Sequence, residues 1–187
     1  MAWNIDGSEY NSLKVARIAD VIIKYKPDVI FLSEDFDKTG ICLDSLLKKN
    51  YPYSSNMVCS GHQFYSNYML DSIRVVHVEC YDNLLRIHVS VMVKGQGIDI
   101  YGCHLASNNY SASQDVGGSP ALRAFKAAGF QDAWWKGGLG YGATIHYLLP
   151  YRIDHIMYND KLILKSIRKI YAKGLSDHDA LVAEFRI

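Results

Sequence analysis

The sequence predicts an α/β protein in which two β-sheets pack face to face and helices cover the outside. Residues 1–34 read as strand, helix and strand, which is a βαβ unit with a right-handed crossover. Residues 72–105 read as successive strands joined by short turns, as in an antiparallel sheet. More strand-like runs follow towards the C-terminus with few helices between them. This order favours two packed sheets over one doubly wound sheet.

The length and composition are those of one ordinary globular domain. The chain has 187 residues, of which 49% are hydrophobic and 21% charged, and no linker-like stretch divides it. We therefore predict a single domain over residues 1–187. The formal net charge of +1 argues against a strongly basic nucleic-acid-binding surface. No apolar run reaches the roughly 18 residues of a membrane span, and no secretory leader is visible, which leaves the compartment undetermined.

The βαβ unit is defined by its helix and its second strand. Residues 12–25, "SLKVARIADVIIKY", predict a helix with Asn11 or Ser12 as its N-cap and Pro27 just beyond its end. We expect one apolar stripe of this helix to face the core: Leu13, Ala16, Ala19 and Ile23. Residues 28–34, "DVIFLSE", form an unbroken apolar run that is typical of a strand buried on both faces.

The rest of the chain alternates between strand and helix patterns. Apolar residues at every second position, as in an antiparallel strand, run through the middle: Leu85, Ile87, Val89, Val91 and Val93. A helix is predicted after residue 118, with Ser119 as its cap, Pro120 at its first position and Gly129 at its end. Three further strand-like runs are predicted at residues 152–158, 161–171 and 180–187.

Polar side chains stand at or near the ends of several predicted strands. They are Asn4, Glu34, His104, Asp154, Asp177 and His178. Acidic and amide oxygens suit a hard cation such as Mg²⁺ or Mn²⁺. A histidine beside a carboxylate suits general-base or electrostatic work. Each position alone is weak, because an acid at a strand end is more often a solvated turn residue.

The order of these segments is more specific than any one of them. The runs "AWNID", "DVIFLSE", "YGCHLASN", "YRIDHI" and "LSDHDALV" resemble the endonuclease/exonuclease/phosphatase superfamily over nearly the whole chain. The resemblance implies the deoxyribonuclease I-like fold, a four-layer α/β/β/α sandwich of two mixed β-sheets with outer helices. It also implies a hydrolase of phosphate esters, mostly diesters, that uses a divalent metal such as Mg²⁺ or Mn²⁺.

The resemblance assigns metal-binding roles to three positions. Glu34 matches the principal metal carboxylate of the family. Asn4 matches an asparagine that holds the metal site or the phosphate, and Asp177 matches a second acidic position near the metal.

The resemblance assigns the remaining positions to the phosphate and the attacking water. His178 matches a histidine that activates or hydrogen-bonds the water and phosphate, and Asp154 matches the carboxylate that orients it. His104 matches a phosphate-contacting histidine. Ser176 and Arg152 are supporting positions in the same motifs.

One family motif, Gly-Asp-x-Asn, occurs nowhere in this sequence. Residues 105–118 are too short for the strand, helix and loops that normally include it. We therefore predict a fold that lacks a segment near residues 109–116. The sequence supports two hypotheses: a metal-dependent phosphoesterase, in the first place a phosphodiesterase, or a degenerate, inactive member that binds a phosphorylated ligand.

The identity of the substrate is open. Nucleic acids and nucleotides are candidates, and the sequence indicates no protein partner. Residues 137–147, "GGLGYGATIHY", lack the lysine of a P-loop, and we interpret them as a mobile loop beside the site. Trp134 and Trp135 are interpreted as core residues or as part of a substrate surface.

Overall fold

A computed structural model of the chain describes residues 1–56, 61–77, 85–104, 120–145 and 151–187. Its contacts divide the chain into two compact units. The first contains Met1 and Trp3–Leu105, and the second contains Ala2 and Ala106–Ile187. The single domain over residues 1–187 stays a prediction.

The elements up to residue 104 alternate at first and then become purely β. In chain order they are β1 (Ala2–Asn4), α1 (Ser12–Tyr25), β2 (Val29–Asp35), α2 (Asp37–Leu47), β3 (Tyr53–Ser54), β4 (Gly61–Ser66), β5 (Leu70–His77), β6 (Leu85–Val93) and β7 (Gln96–Cys103).

Helix α1 has the bounds that the sequence predicts, and its ends show why. The Asn11 side-chain oxygen accepts the backbone N–H groups of Leu13 and Lys14, both at 3.1 Å, so Asn11 is the N-cap. Lys26 adopts a left-handed conformation, and its N–H donates to the Ile22 carbonyl. Pro27 follows this C-cap, which agrees with the predicted end of the helix.

The apolar stripe predicted for α1 is correct at Ala19 and wrong at its other three positions. The buried residues are Val15, Ile18, Ala19 and Ile22, whereas Leu13 is 76% exposed. The observed set also has helical spacing, and it carries branched side chains at three of its four positions. Burying this face therefore removes more apolar surface from water than the predicted stripe would.

Two sheets form within the first unit. The strand order β1-β2-β4-β3 places β2 between a parallel and an antiparallel neighbour. The β1–β2 pair is parallel because its hydrogen bonds advance along both strands, from Phe31 N–H to Met1 O and from Ile5 N–H to Ser33 O. The strands β5, β6 and β7 form an antiparallel sheet in chain order.

The two sheets pack face to face around an aromatic and aliphatic core. Phe64 of β4 and Ile87 and Val89 of β6 are fully buried, with Phe31 and Ile100 packed against them. Val91 and Val93 are buried as well, so the predicted alternation in this strand is confirmed for the side chains that the structure describes. This is the sandwich arrangement that the sequence predicts.

Helix α2 and strands β3 and β4 were not among the sequence predictions. Phe36 precedes α2 without a side-chain cap, and the helix contains Gly40, so neither its start nor its interior has a strong helix signal. Leu43 and Leu47 are nevertheless fully buried, and α2 packs beside α1. Tertiary burial, more than local propensity, accounts for this helix.

The second unit contains short elements around one long hairpin. They are α3 (Pro120–Ala127), β8 (Gln131–Asp132), α4 (Ala133–Gly137), β9 (Met157–Tyr158), β10 (Ile163–Ile170) and β11 (Ala180–Arg186). Strands β10 and β11 pair antiparallel, with Ile167 opposite Ala183. Trp134 of α4 packs into a buried cluster with Ile167 and Leu181. Pro120 begins α3 as predicted, and its predicted cap Ser119 lies outside the described residues.

The predicted strand over residues 152–158 is wrong for most of its length. Only Met157 and Tyr158 pair as a strand, with Asp132 and Gln131 of β8. The backbone N–H groups of Ile153 and Asp154 donate to the Thr144 hydroxyl. These two groups therefore form no hydrogen bond to a neighbouring strand. The predicted deletion near residues 109–116 lies outside the described residues. Within the described ranges, no helix is long and apolar enough to cross a membrane.

We expect Gly102→Ala to destabilise the first unit. A Cβ at Gly102 would come within 2.2 Å of the Phe31 ring, inside the core between the two sheets. The cost should be about 1–3 kcal/mol in the free energy of unfolding, measured by urea denaturation. Gly97→Ala, in the same strand, is the matched control because nothing lies within 4 Å of its Cβ position. Equal effects of the two substitutions would contradict this packing.

Candidate functional site

Glu34 occupies an unusual backbone position near the end of β2. The register with β4 runs from Ser33 opposite His62 to Asp35 opposite Gly61, so Glu34 is the extra residue of a β-bulge. Its φ of 57° lies in the left-handed region, which is unfavourable for a glutamate. A non-glycine residue adopts this conformation only where the surrounding structure holds it there.

The bulge is held by a close backbone approach from the loop after β1. The Gly7 N–H donates to the Glu34 carbonyl at 2.9 Å. A Cβ on Gly7 would lie 2.3 Å from that same oxygen, so glycine is needed here for space. Thr39, which belongs to α2, donates its hydroxyl to the Gly7 carbonyl at 3.2 Å. This contact also holds the loop after β1 in place.

Asn4, at the end of β1, orients the Glu34 carboxylate. Its amide nitrogen donates to Glu34 Oε1 at 2.7 Å, and its amide oxygen accepts the Asp6 N–H at 3.0 Å. The second bond fixes which end of the amide is oxygen, because a backbone N–H requires an acceptor. Asn4 is only 2% exposed. In this geometry Asn4 acts on Glu34 through its amide nitrogen, and its role as a metal ligand stays a prediction.

His104 completes the cluster in the first unit. Its Nε2 lies 3.5 Å from Glu34 Oε1, and the side chains of His104 and Glu34 are 40% and 27% exposed. The ring of His62 lies 5.9 Å from that of His104 and 5.9 Å from that of Phe31. Three predicted site residues, Asn4, Glu34 and His104, therefore meet around one partly exposed carboxylate.

Glu34 is the residue of this cluster with the chemistry of a ligand for a divalent metal. The described part of the chain contains no group of three or more His, Cys, Asp or Glu side chains arranged to hold a metal. Mg²⁺, however, commonly binds through one or two carboxylates while keeping several waters and substrate phosphate oxygens. Glu34 supplies an oriented, solvent-accessible carboxylate of that type.

The second unit holds a histidine–carboxylate pair. His178 Nδ1 lies 2.8 Å from Asp154 Oδ2, and His178 is 8% exposed. A carboxylate only accepts hydrogen bonds, so Nδ1 carries the proton and Nε2 is the nitrogen that exchanges one. The predicted pairing of Asp154 with His178 is present in the structure.

Thr144 supports this pair, and sequence reasoning missed it. Its hydroxyl accepts the N–H groups of Ile153 and Asp154 at 3.2 and 3.1 Å, and its carbonyl accepts the Asp179 N–H at 2.7 Å. It thus ties the segment of Asp154 to the segment of His178. Thr144 is fully buried within the run interpreted as a loop. No sequence signal in that glycine-rich run distinguishes this threonine. The other missed residue, Gly7, does have a sequence signal, because the dipeptide Asp6–Gly7 is typical of a turn.

Ser176 and Asp177 directly precede His178 in the chain, and Ser176 contacts both neighbours. The Ser176 hydroxyl accepts the His178 N–H at 3.0 Å and lies 3.4 Å from Asp177 Oδ1. Asp177 is partly exposed. Ser176 therefore holds the backbone of His178, and both its predicted supporting role and the role of Asp177 as a second acidic position stay predictions.

Arg152 takes part in a buried ionic network in the same unit. Its Nη1 donates to Asp132 Oδ2 at 2.8 Å, and His155 Nδ1 lies 2.8 Å from the same oxygen. The other Asp132 oxygen caps α4 through the N–H groups of Trp134 and Trp135. The network therefore anchors the segment around Asp154 to α4.

The environment of Asp132 changes its acidity. Burial alone would raise the pKa of the Asp132 carboxyl, but hydrogen bonds from His155 and Arg152, with their charges, outweigh burial and lower it to about 2. Asp132 is thus a stabilising anion at neutral pH. Of the adjacent tryptophans, Trp134 is buried in the core and Trp135 is 54% exposed, with the Arg152 guanidinium 5.2 Å from its ring centroid.

Solved structures of low sequence identity share one fold with this chain. An endonuclease/exonuclease/phosphatase from Bacteroides vulgatus is 14% identical with a TM-score of 0.79, covering 100% of this chain and 97% of that chain. TDP2 from D. rerio, in complex with a single-stranded DNA product, is 17% identical with a TM-score of 0.75 and the same coverages, 100% and 97%. The chain has the deoxyribonuclease I-like fold.

A third structure extends the comparison. A mannosyl-6-phosphatase from Bacteroides thetaiotaomicron is 12% identical with a TM-score of 0.72, covering 100% of this chain and 98% of that chain. The predicted fold class is thereby confirmed, and so is the resemblance at the level of the fold. No protein-family model matches the sequence, and no curated protein does.

We expect Gly7→Ala to destabilise the Glu34 bulge. The added methyl group would meet the Glu34 carbonyl, so either the bulge or the loop must move, at a cost of about 1–3 kcal/mol in the free energy of unfolding. Urea denaturation measures the change. Ser8→Ala removes an exposed hydroxyl from the same loop and should cost less than about 0.5 kcal/mol. If Gly7→Ala is as mild as this control, the close approach does not constrain the site.

We expect Asp132→Asn to remove an acid-sensitive part of the stability. The pKa of Asp132 is lower in the folded protein than the ordinary value of 3.8, so its contribution is complete above about pH 4. It is lost as the pH falls from about 4 to about 2. The wild type should exceed Asp132→Asn by about 2 kcal/mol at pH 7, and the gap should close over that acid range. Urea titrations at several pH values measure it, with the exposed Asp160→Asn as control.

Proposed function

We propose that this chain is a divalent-metal-dependent phosphoesterase that hydrolyses a phosphodiester. The observation that carries the proposal is the Asp154–His178 pair, in which a buried histidine has its tautomer fixed by a carboxylate at 2.8 Å. Such a pair suits proton transfer at neutral pH. The fold supports the same class of chemistry, because its solved neighbours include a mannosyl-6-phosphatase.

We assign the proton-handling role to His178. Its Nε2 accepts a proton from the attacking water or donates one to a phosphate oxygen, and in both cases Asp154 keeps the Nδ1 proton in place. The water oxygen forms the new P–O bond and gives its proton to His178 or to solvent. The ester P–O bond breaks, and the leaving alkoxide takes a proton back from protonated His178 or from solvent. Thr144 and Ser176 hold the pair through backbone hydrogen bonds, so they act as positioning residues.

We assign the metal-binding role to Glu34. A bound Mg²⁺ or Mn²⁺ would supply positive charge against the non-bridging phosphate oxygens. Asn4 holds the Glu34 carboxylate in place, and we assign His104, whose Nε2 lies 3.5 Å from Glu34 Oε1, to contact with a phosphate oxygen. Asp177, which is partly exposed and precedes His178 in the chain, remains the second acidic residue of the proposal.

The substrate class of the proposal is a phosphate ester, with the end of a single nucleic-acid strand as the first candidate. The support is that D. rerio TDP2, which shares the fold, was solved with a single-stranded DNA product. The formal net charge of +1 agrees with a short contact rather than a long duplex, whose binding depends on many cationic contacts.

A second candidate is a non-catalytic binder of phosphorylated ligands. The lack of a Gly-Asp-x-Asn run in the sequence favours it. The two candidates differ in a single measurable quantity, which is metal-dependent turnover.

The test is hydrolysis of bis(p-nitrophenyl) phosphate with Mg²⁺ or Mn²⁺ by the wild type and two variants. His178→Ala should lower kcat/KM by roughly 100- to 10,000-fold, because proton transfer is lost. Glu34→Gln should raise the metal concentration needed for half-maximal activity at least about tenfold. His88→Ala is the matched control, since His88 pairs with Asp99 on the β5-β6-β7 sheet.

Two results decide against the proposal. Activity that survives both His178→Ala and Glu34→Gln would remove the residue assignment. A wild type that binds a single-stranded oligonucleotide but shows no metal-dependent turnover would favour the non-catalytic candidate.

A further inference from the structure

Lys169, near the end of β10, joins two segments of the second unit that carry the candidate site. Its Nζ donates to the Ala143 carbonyl at 2.6 Å and lies 2.9 Å from Asp179 Oδ2. Ala143 directly precedes Thr144, and Asp179 directly follows His178. One ammonium group therefore contacts the chain immediately beside Thr144 and immediately beside His178.

The Asp179 carboxylate is enclosed by the protein and is contacted at both oxygens. Asp179 is 0% exposed. Its Oδ1 accepts the Ala172 N–H at 2.8 Å, and its Oδ2 faces the Lys169 ammonium. A buried carboxylate is costly unless hydrogen bonds and an opposite charge compensate it. Lys169, whose side chain is 30% exposed, supplies that charge.

These contacts close a ring that contains the Asp154–His178 hydrogen bond. The Thr144 carbonyl accepts the Asp179 N–H at 2.7 Å, and the Thr144 hydroxyl accepts the Asp154 N–H at 3.1 Å. Asp154 Oδ2 and His178 Nδ1 then lie 2.8 Å apart. The alignment of the pair thus depends on how the segment of Thr144 lies against that of His178, and Lys169 contacts both segments.

We propose that Lys169 is a positioning residue for His178, an inference that rests on the proposed phosphoesterase function. It acts through Ala143 and Asp179 and contributes no group to the proton transfer itself. Lysine suits this place because its ammonium has three N–H donors, which serve a carbonyl and a carboxylate together. Its charge also compensates a buried anion that a neutral donor would leave unpaired.

Loss of the ammonium should loosen the histidine–carboxylate pair. Without Lys169, the Ala143 carbonyl loses a donor and the Asp179 carboxylate loses its opposite charge, so the two segments are no longer held together. A hydrogen bond weakens with distance and angle, and a displacement of about 1 Å in a catalytic group can lower a rate about 100-fold. The effect should therefore appear in kcat and not in substrate binding.

The first experiment observes the pair directly, without substrate. In the proton NMR spectrum of the wild type, the His178 Nδ1 proton should give a resonance downfield of the backbone amides, assigned by its loss in His178→Ala. Lys169→Met should broaden this resonance into the solvent signal, because the bond to Asp154 is no longer held. Lys169→Arg keeps a charged N–H donor and should retain the resonance. Lys165→Met, which removes an exposed lysine from the same strand, is the matched control.

The second experiment measures kcat and KM for bis(p-nitrophenyl) phosphate. Lys169→Met should lower kcat by about 10- to 100-fold and change KM by less than about twofold. Lys169→Arg should restore kcat to within about threefold of the wild type, and Lys165→Met should equal the wild type. The metal concentration for half-maximal activity should stay unchanged in Lys169→Met, in contrast to Glu34→Gln.

Asp179→Asn is the second variant if Lys169→Met fails to fold. It keeps the shape of the side chain and an acceptor for the Ala172 N–H, but it removes the charge that attracts Lys169. It should show the same loss of the His178 resonance and the same fall in kcat as Lys169→Met.

A folded Lys169→Met that keeps the resonance, or one whose kcat equals that of the wild type, overturns the role of Lys169. So does a Lys169→Arg that loses both as fully as Lys169→Met, because the proposal requires a cation and not one side-chain shape. A wild type that shows the resonance but no turnover would contradict the phosphoesterase proposal alone. The resonance in the Lys169 variants would then decide whether Lys169 positions His178.

Discussion

The hydrogen bond from the Gly7 N–H to the Glu34 carbonyl is the contact on which the first cluster depends. It joins the loop after β1 to the bulge of β2 at 2.9 Å, with no room for a side chain between them. The bulge holds Glu34 in a left-handed conformation that an unconstrained glutamate avoids. With the backbone held there, the Glu34 carboxylate lies within reach of Asn4 and His104. The backbone conformation of Glu34 therefore determines where its carboxylate lies.

In the second unit, side chains hold the Asp154–His178 pair in place. The Thr144 hydroxyl accepts the backbone N–H groups of Ile153 and Asp154, and the Asp132–Arg152 ion pair fixes the same segment to α4. A histidine–carboxylate pair needs this support, because an error of half an ångström weakens a directional hydrogen bond. The chain thus surrounds Asp154 with buried polar groups that do no chemistry themselves.

The sequence was sufficient where a local signal and tertiary burial agree. Asn11 and Pro27 delimit α1, and the alternation through Val89 and Val91 identifies β6. It failed where burial decides alone: α2 has no cap, and the face of α1 was misassigned because two apolar stripes compete on it. The family motifs in the sequence point to the candidate site residues. Two of these residues, Asp154 and His178, form a pair in the structure. Gly7 and Thr144 were missed because their roles are contacts between distant segments.

The bulge at Glu34 also changes which side chains of β2 lie on its buried face. Ile30 and Leu32 are buried on one face, and strict alternation would place residue 34 with them. The extra residue shifts the phase by one, so Asp35 joins the buried face while Glu34 reaches solvent. Two neighbouring acids thereby acquire opposite environments from a single backbone feature. The same sequence in a regular strand without the bulge would exchange them, leaving an exposed aspartate and a glutamate enclosed by the protein.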